Sequence, residues 1–247
     1  MFLPLKDINP TTHRPIVTYS LIVINMAVFI YQLSLGPRLS EAFIASYGAT
    51  PFEITRMTDL IGKMNIGVQL IHYPGPHPIF LTLLTSMFIH AGFAHILGNM
   101  LYLWIFGNNI EDILGPVRFI VFYVLCGLAA HALHIASDPA SSVPTVGASG
   151  AISGLLGAYL IAFPRARVVT LVFLGFFVRM ALIPAFVIIV FWFVIQFIFG
   201  LASLGGTREG GVAFFAHIGG FLAGIALIYA MAGKTIYWLR RGGSSEY

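Results

Sequence analysis

Six runs of apolar residues, each long enough or nearly long enough to cross a lipid bilayer, dictate what this chain can fold into. A hydrocarbon core of about 30 Å takes about 20 helical residues. The runs cover roughly 16–35, 86–106, 117–136, 146–163, 182–199 and 212–232. Lipid offers the backbone no hydrogen-bond partners, so each run must satisfy its own N–H and C=O groups, as a helix does. Only 9% of the residues are charged, too few for the surface of an ordinary soluble domain. The expected fold class is therefore all-α: a polytopic membrane protein with six transmembrane helices and a long external loop between the first two. That loop, 36–85, mixes apolar and charged residues and carries a short interfacial helix near Pro51-Phe52-Glu53-Ile54-Thr55-Arg56. The stretch 168–177 is apolar too, but Arg179 and Pro184 cut it off from the fifth run, so it is placed at the cytoplasmic surface.

Residues 1–15 show no signal-peptide pattern, so the first run is expected to stay in the membrane. One integral domain, 1–247, is the natural count, with 1–15 and 233–247 as cytoplasmic tails. With the N-terminus inside, the inner face receives Lys6, Arg14, Arg118, Arg165, Arg167, Arg179, Lys234, Arg240 and Arg241. The outer face receives Arg38, Arg56, Lys63 and Arg208. About nine against four obeys the positive-inside rule and puts both termini in the cytoplasm.

Four polar side chains inside the runs then fall at one depth. Ser149 lies about 21 Å from the inner end of its run, hence roughly 9 Å below the outer surface. His217, counted from the opposite end of its own run, is roughly 8 Å deep. His95 and Asn99, spaced i, i+4, share a helix face at about the same level. Such groups are expected to face the bundle interior or a water-filled cavity, and to be functional. A serine hydroxyl is a weak nucleophile until a base adjoins it, and imidazole is a fitting base near neutral pH. Gly150, Gly154 and Gly157 on one run and Gly220 and Gly224 on another let two helices approach closely, as a Ser149–His217 contact would require.

The motifs run in order: His90-Ala91-Gly92-Phe93-Ala94-His95, Asn99, Gly107-Asn108-Asn109-Ile110-Glu111-Asp112, Gly147-Ala148-Ser149-Gly150 and Ala216-His217-Ile218-Gly219-Gly220. In this order, over about 81–232, the chain resembles a rhomboid intramembrane serine protease. The resemblance implies a Ser149–His217 dyad, with Ser149 as nucleophile and His217 as general base. It also implies an oxyanion hole containing the side chains of His95 and Asn99 and the backbone N–H of Ser149. Many rhomboids carry an aromatic residue four positions after the nucleophile, stacked on the base. Ser153 stands there in this chain, which leaves Ser153 or a water to orient His217.

Other readings compete. Ser149 could be a helix N-cap, His217 a packed polar residue, and His95 and Asn99 interhelical glue. His90 reads as a structural donor near the outer interface. His131 and His134 lack the companions of a metal motif, so no metal and no cofactor is expected. Glu111 and Asp112 read as loop anchors through local hydrogen bonds. Phe191, Trp192 and Phe193 read as lipid-facing or gate-lining bulk, and Cys126 as a small buried hydrophobe. No Asp or Glu lies in the fourth or sixth run, which favours a dyad over a triad. The expected partners are transmembrane protein substrates and the lipid bilayer, with no nucleic acid; the oligomeric state is not legible. The expected place is a bacterial or archaeal cytoplasmic membrane. The competing function is a non-catalytic rhomboid-like protein that binds membrane clients.

Overall fold

The computed structural model describes residues 2–65, 69–175, 177–204 and 213–240. Arg208, Arg241 and the first residue of the sixth run, Val212, lie outside them. In chain order the elements begin with β1 (Phe2–Asp7), α1 (Ile16–Ser34), α2 (Gly36–Tyr47), α3 (Pro51–Arg56), β2 (Gly62–Asn65) and β3 (Gln69–His72). Short helical turns over Ile79–Phe88 follow, including α4 (Thr82–Thr85). Next come α5 (Phe93–Tyr102), a π-helical turn (Leu103–Gly107), α6 (Asn108–Leu114) and α7 (Pro116–Ser137). The chain continues with α8 (Ser149–Ala162), β4 (Arg167–Leu174), β5 (Phe177–Pro184), α9 (Ala185–Leu204) and α10 (Phe214–Arg240).

The expectation of a purely all-α bundle of six spans does not hold. Among the described residues, four helices are long and apolar enough to cross a membrane: Ile16–Ser34, Pro116–Ser137, Ala185–Ser203 and Phe214–Tyr237. A fifth span arises only if Ile79–Phe88 and Phe93–Leu114, which meet at 82°, are taken together. The run at 146–163 yields a helix of 14 residues, about 21 Å long and shorter than the hydrocarbon core. Eleven of its residues are buried, so its neighbours and not lipid surround it.

The second departure is a three-stranded antiparallel sheet, ordered β1-β4-β5. The stretch expected at the membrane surface is β4. Its Val168-Val169-Thr170-Leu171-Val172 is rich in β-branched residues, which suit strands better than helices. It pairs with β5 from Arg167↔Pro184 to Leu174↔Phe177, and β1 adds to its other edge. Backbone pairing within the sheet satisfies the groups that a helix would have satisfied internally.

The spanning helices are arranged with polar groups inward. On α1 the buried residues are Thr18, Asn25, Phe29 and Gln32, while Ile16, Val23, Ile24, Ile30 and Tyr31 are exposed. Apolar residues outside and polar ones inside is the pattern expected when the surroundings are hydrocarbon. Helices α8 and α10 pack backbone to backbone. A Cβ on Gly220 or Gly224 would collide with the carbonyl oxygen of Gly150 or Gly154, respectively, and one on Gly157 with that of Phe221. The opposite face of α8 meets α7, where a Cβ on Gly154 would strike Cys126.

At the end of the bundle remote from Ser149, the chain is tied by carboxylates. Glu111 accepts hydrogen bonds from Val17 N (2.8 Å), Thr18 N (2.8 Å) and Thr18 Oγ1 (2.7 Å), capping α1. Asp112 accepts from Thr12 N and His13 N at 2.9 and 2.8 Å. Both residues are anchors, as read from the sequence, but the partners lie 93 to 100 positions away and are not local. Asp7, at the end of β1, accepts from Asn109 Nδ2 (2.8 Å) and Tyr159 OH (2.9 Å).

Candidate active site

Ser149 is the first residue of α8, and His217 sits in the first turn of α10. The glycine contacts between these helices bring their leading ends together. Ser149 Oγ lies 2.8 Å from His217 Nε2. The serine hydroxyl is thus engaged with the imidazole, the geometry a general base needs. The other ring nitrogen, Nδ1, lies 2.7 Å from Gln196 Oε1 on α9. Trp192, one turn before Gln196, sets its ring 5.6 Å from that of His217, tilted by 42°.

Ser153 takes no part in this. Its hydroxyl donates to the Ser149 carbonyl at 2.6 Å, within its own helix. The side chains that meet the His217 ring come from α9 and not from Ser153. Gln196 was missed by sequence reasoning, and Trp192 was read only as bulk. A signal was there: Gln196 is a lone amide in a helix that is otherwise almost wholly apolar.

The loop before α8 builds the rest of the site. Gly147 has φ +116°, a conformation that side chains rarely adopt, and its N–H donates to the Ser86 carbonyl at 2.8 Å. A Cβ there would run into His95 Nε2 and come to 3.5 Å from Asn99 Nδ2. Glycine therefore lets both side chains close on the backbone just ahead of Ser149. Asn99 Nδ2 is buried and has no hydrogen-bond partner among the described residues. A buried amide donor left open is costly unless a ligand supplies the acceptor. His95 Nδ1 accepts a long hydrogen bond from Ala91 N at 3.4 Å, which places the ring proton on Nε2, the nitrogen beside Gly147. So His95 and Asn99 both present donors to the same small space. A cavity bordered by Met87, His131, Thr145, Gly147, Ser149 and Ala213 adjoins it.

A second Ser–His pair lies behind this loop. Ser86 Oγ is 3.1 Å from His131 Nε2 and 3.3 Å from the Leu83 carbonyl. Both residues are buried, and the Ser86 carbonyl is the acceptor that holds Gly147. This pair supports the loop. Ser149, by contrast, is half-buried and stands beside the two open donors. His90 is fully buried and packs edge-on against His95, with ring centroids 5.1 Å apart. Its carbonyl accepts from Gln32 Nε2 at 2.8 Å, which ties α1 to the break ahead of α5.

In the loop between the first two spans, Glu53, Asp59 and His72 gather with ligand-type atoms within 4.8 Å of one another. Glu53 accepts from Leu60 N at 2.7 Å and lies 3.2 Å from His72 Nε2; Asp59 accepts from Gly75 N at 3.1 Å. Burial pushes the Glu53 carboxyl above its usual range, while the Leu60 N–H and His72 pull the other way. These contacts knot α3 to β3. The loop in turn docks on the connection leading to α8, through Phe52 N to the Ser141 carbonyl and through Ala49 and Thr145.

Long apolar helices around a polar interior, with a serine and a histidine joined inside it, define a polytopic helical membrane protein. A family model described as the Rhomboid domain matches residues 78–234, and the chain belongs to the rhomboid family. It is 34% identical over 151 residues to "Rhomboid protease GluP" of Bacillus subtilis (strain 168), covering 61% of this chain and 27% of that protein. It is 40% identical over 78 residues to "Putative rhomboid protease YdcA" of the same organism, covering 32% of this chain and 39% of that one. It is 28% identical over 235 residues to "RHOMBOID-like protein 4" of Arabidopsis thaliana, covering 89% of this chain and 54% of that one. The chain thus spans roughly a quarter to a half of the length of these curated relatives.

Proposed function

We propose that this protein is an intramembrane serine endopeptidase that cuts transmembrane-anchored proteins near the outer membrane interface. The observation that carries the reading is the 2.8 Å approach of Ser149 Oγ to His217 Nε2 beside the open Asn99 donor. His217 takes the hydroxyl proton as Ser149 Oγ attacks the scissile carbonyl. The resulting oxyanion is met by Asn99 Nδ2–H, His95 Nε2–H and the Ser149 N–H. His217 then protonates the leaving amine, the acyl-enzyme forms, and a water activated by the same imidazole releases it. Ser149 and His217 carry the covalent chemistry as a dyad; His95 and Asn99 stabilise charge.

The topology supports the place of the cut. With both termini in the cytoplasm, the orientation that the excess of inner Lys and Arg favours, the leading ends of α8 and α10 face outward. The 14-residue α8 then carries Ser149 only part of the way to the outer surface, which recesses the site below it. The chain is read as a single membrane domain over 1–247, seated in a bacterial or archaeal cytoplasmic membrane. The test is cleavage of a fluorescent transmembrane peptide by the purified protein in liposomes, alongside Ser149→Ala. Cleavage by the wild type and not by the variant supports the reading. Binding of the peptide without cleavage by the wild type would point to the client-binding alternative.

A further inference from the structure

We propose that Gln196 is the positioning residue for His217: its amide oxygen selects the imidazole tautomer that can act as base. The proposal rests on the reading of Ser149 and His217 as nucleophile and base. An amide oxygen only accepts hydrogen bonds. At 2.7 Å from His217 Nδ1 it therefore requires the proton on Nδ1. That leaves Nε2 with its lone pair free to receive the Ser149 hydroxyl at 2.8 Å. In the other tautomer Nε2–H would point at Ser149, and no base would be present. Of the two neutral tautomers, only the Nδ1–H form is consistent with both contacts.

The setting makes this a built contact. Gln196 is 9% exposed, on a helix whose neighbouring Phe197, Ile198 and Phe199 face outward at 47%, 57% and 54%. An amide in hydrocarbon is costly unless it is partnered. The one hydroxyl of α9, on Ser203, donates to its own helix at the Gly200 carbonyl. Gln196 instead reaches across to α10. Trp192, at i−4 on the same helix face, lies against the imidazole ring. Helix α9 thus supplies both the ring contact and the hydrogen-bond partner, in a chain where Ser153 provides neither. No Asp or Glu occurs in α8, α9 or α10, so a neutral acceptor replaces the usual carboxylate. A neutral partner suits the site, because it orients the ring without adding a second charge to a low-dielectric interior. A Cys–His–Asn arrangement in soluble proteases uses an amide oxygen in the same role.

The experiment combines 15N spectroscopy of histidine-labelled protein with kinetics on the fluorescent transmembrane peptide. The His217 signals are assigned by their loss in His217→Gln. The wild type is expected to show the Nδ1–H tautomer, and Gln196→Met a mixture of both. Gln196→Met should lower kcat about 10- to 100-fold, as loss of an outer hydrogen-bond partner does. KM should stay within about 2-fold, because the substrate is not touched. Gln196→Glu, which keeps an acceptor in place, should restore the tautomer and most of kcat. A wild type in the Nε2–H tautomer overturns the proposal, and so does Gln196→Met with unchanged tautomer and kcat. Should Gln196→Met fail to fold, the wild-type tautomer and Gln196→Glu decide the matter in the same way. Retained cleavage by Ser149→Ala would refute the nucleophile and not the tautomer, which is read without turnover.

Discussion

A side chain on Gly224 would run into the backbone carbonyl of Gly154, so α10 lies against α8 with no room for a Cβ at that position. Two turns earlier on α10 stands His217, and at the head of α8 stands Ser149. Gly224→Ala should therefore force α10 away from α8 and stretch the Ser149–His217 contact. Overpacking of this kind costs about 1–3 kcal/mol. Thermal unfolding in micelles should show the loss of stability, and kcat should fall with it. An unchanged melting temperature with normal turnover would show that the helices separate without consequence.

Ser149→Ala and His217→Ala should each abolish proteolysis while leaving insertion and melting close to wild type. On the proposed dyad the two act as a unit, so the double variant should lose little more than either single one. Rates of peptide cleavage in liposomes give the comparison. Losses that add in full would mean that the residues act separately.

Asn99→Ala and His95→Ala should lower kcat more than they raise KM. Each removes a donor that strengthens as the oxyanion forms, worth about 3 kcal/mol or roughly a hundredfold in rate. A normal kcat with a raised KM would reassign the residue to substrate positioning.

Burial holds the Asp7 carboxyl above its usual range, although the hydrogen bonds from Tyr159 and Asn109 pull the other way. Folding thus favours the neutral acid. Its contribution is fully present below the unfolded pKa of about 3.9 and is lost as pH rises through the higher folded value. Asp7→Asn should flatten that part of the melting-temperature profile and match or exceed wild type at neutral pH. Asp7→Ala should cost about 1–3 kcal/mol, since it leaves two buried donors unpaired. A profile for Asp7→Asn that still follows the wild type would place the titration elsewhere.

Substrates should unwind before they are cut. A helical peptide bond hides its carbonyl in i to i+4 hydrogen bonds, and the nucleophile must come within about 3 Å of it. Gly or Pro near the outer end of a substrate helix should therefore speed cleavage over a Leu series. Equal rates across the series would show that unwinding does not limit turnover.

The candidate site residues were legible because each is a polar exception in an apolar run. Ser149, His217, His95 and Asn99 stood out on that ground, and their depths agreed before any contact was known. The long spans were legible because hydrocarbon tolerates few alternatives to a helix. The sheet was not. An apolar stretch such as 168–177 suits a buried helix or a strand alike, and only the arrival of β1 and β5 at its edges decides. Nor was the shortness of α8 decisive, until its neighbours were seen to enclose it. Glu111 and Asp112 looked local because their partners lie about a hundred residues away. The sequence alone therefore carried an inventory: which segments are long and apolar, and which side chains are out of place among them. Which groups meet emerged only from the packing of the helices. Gln196 reaches His217 and Ser153 does not, because hydrogen bonding depends on the direction and separation of side chains on different helices.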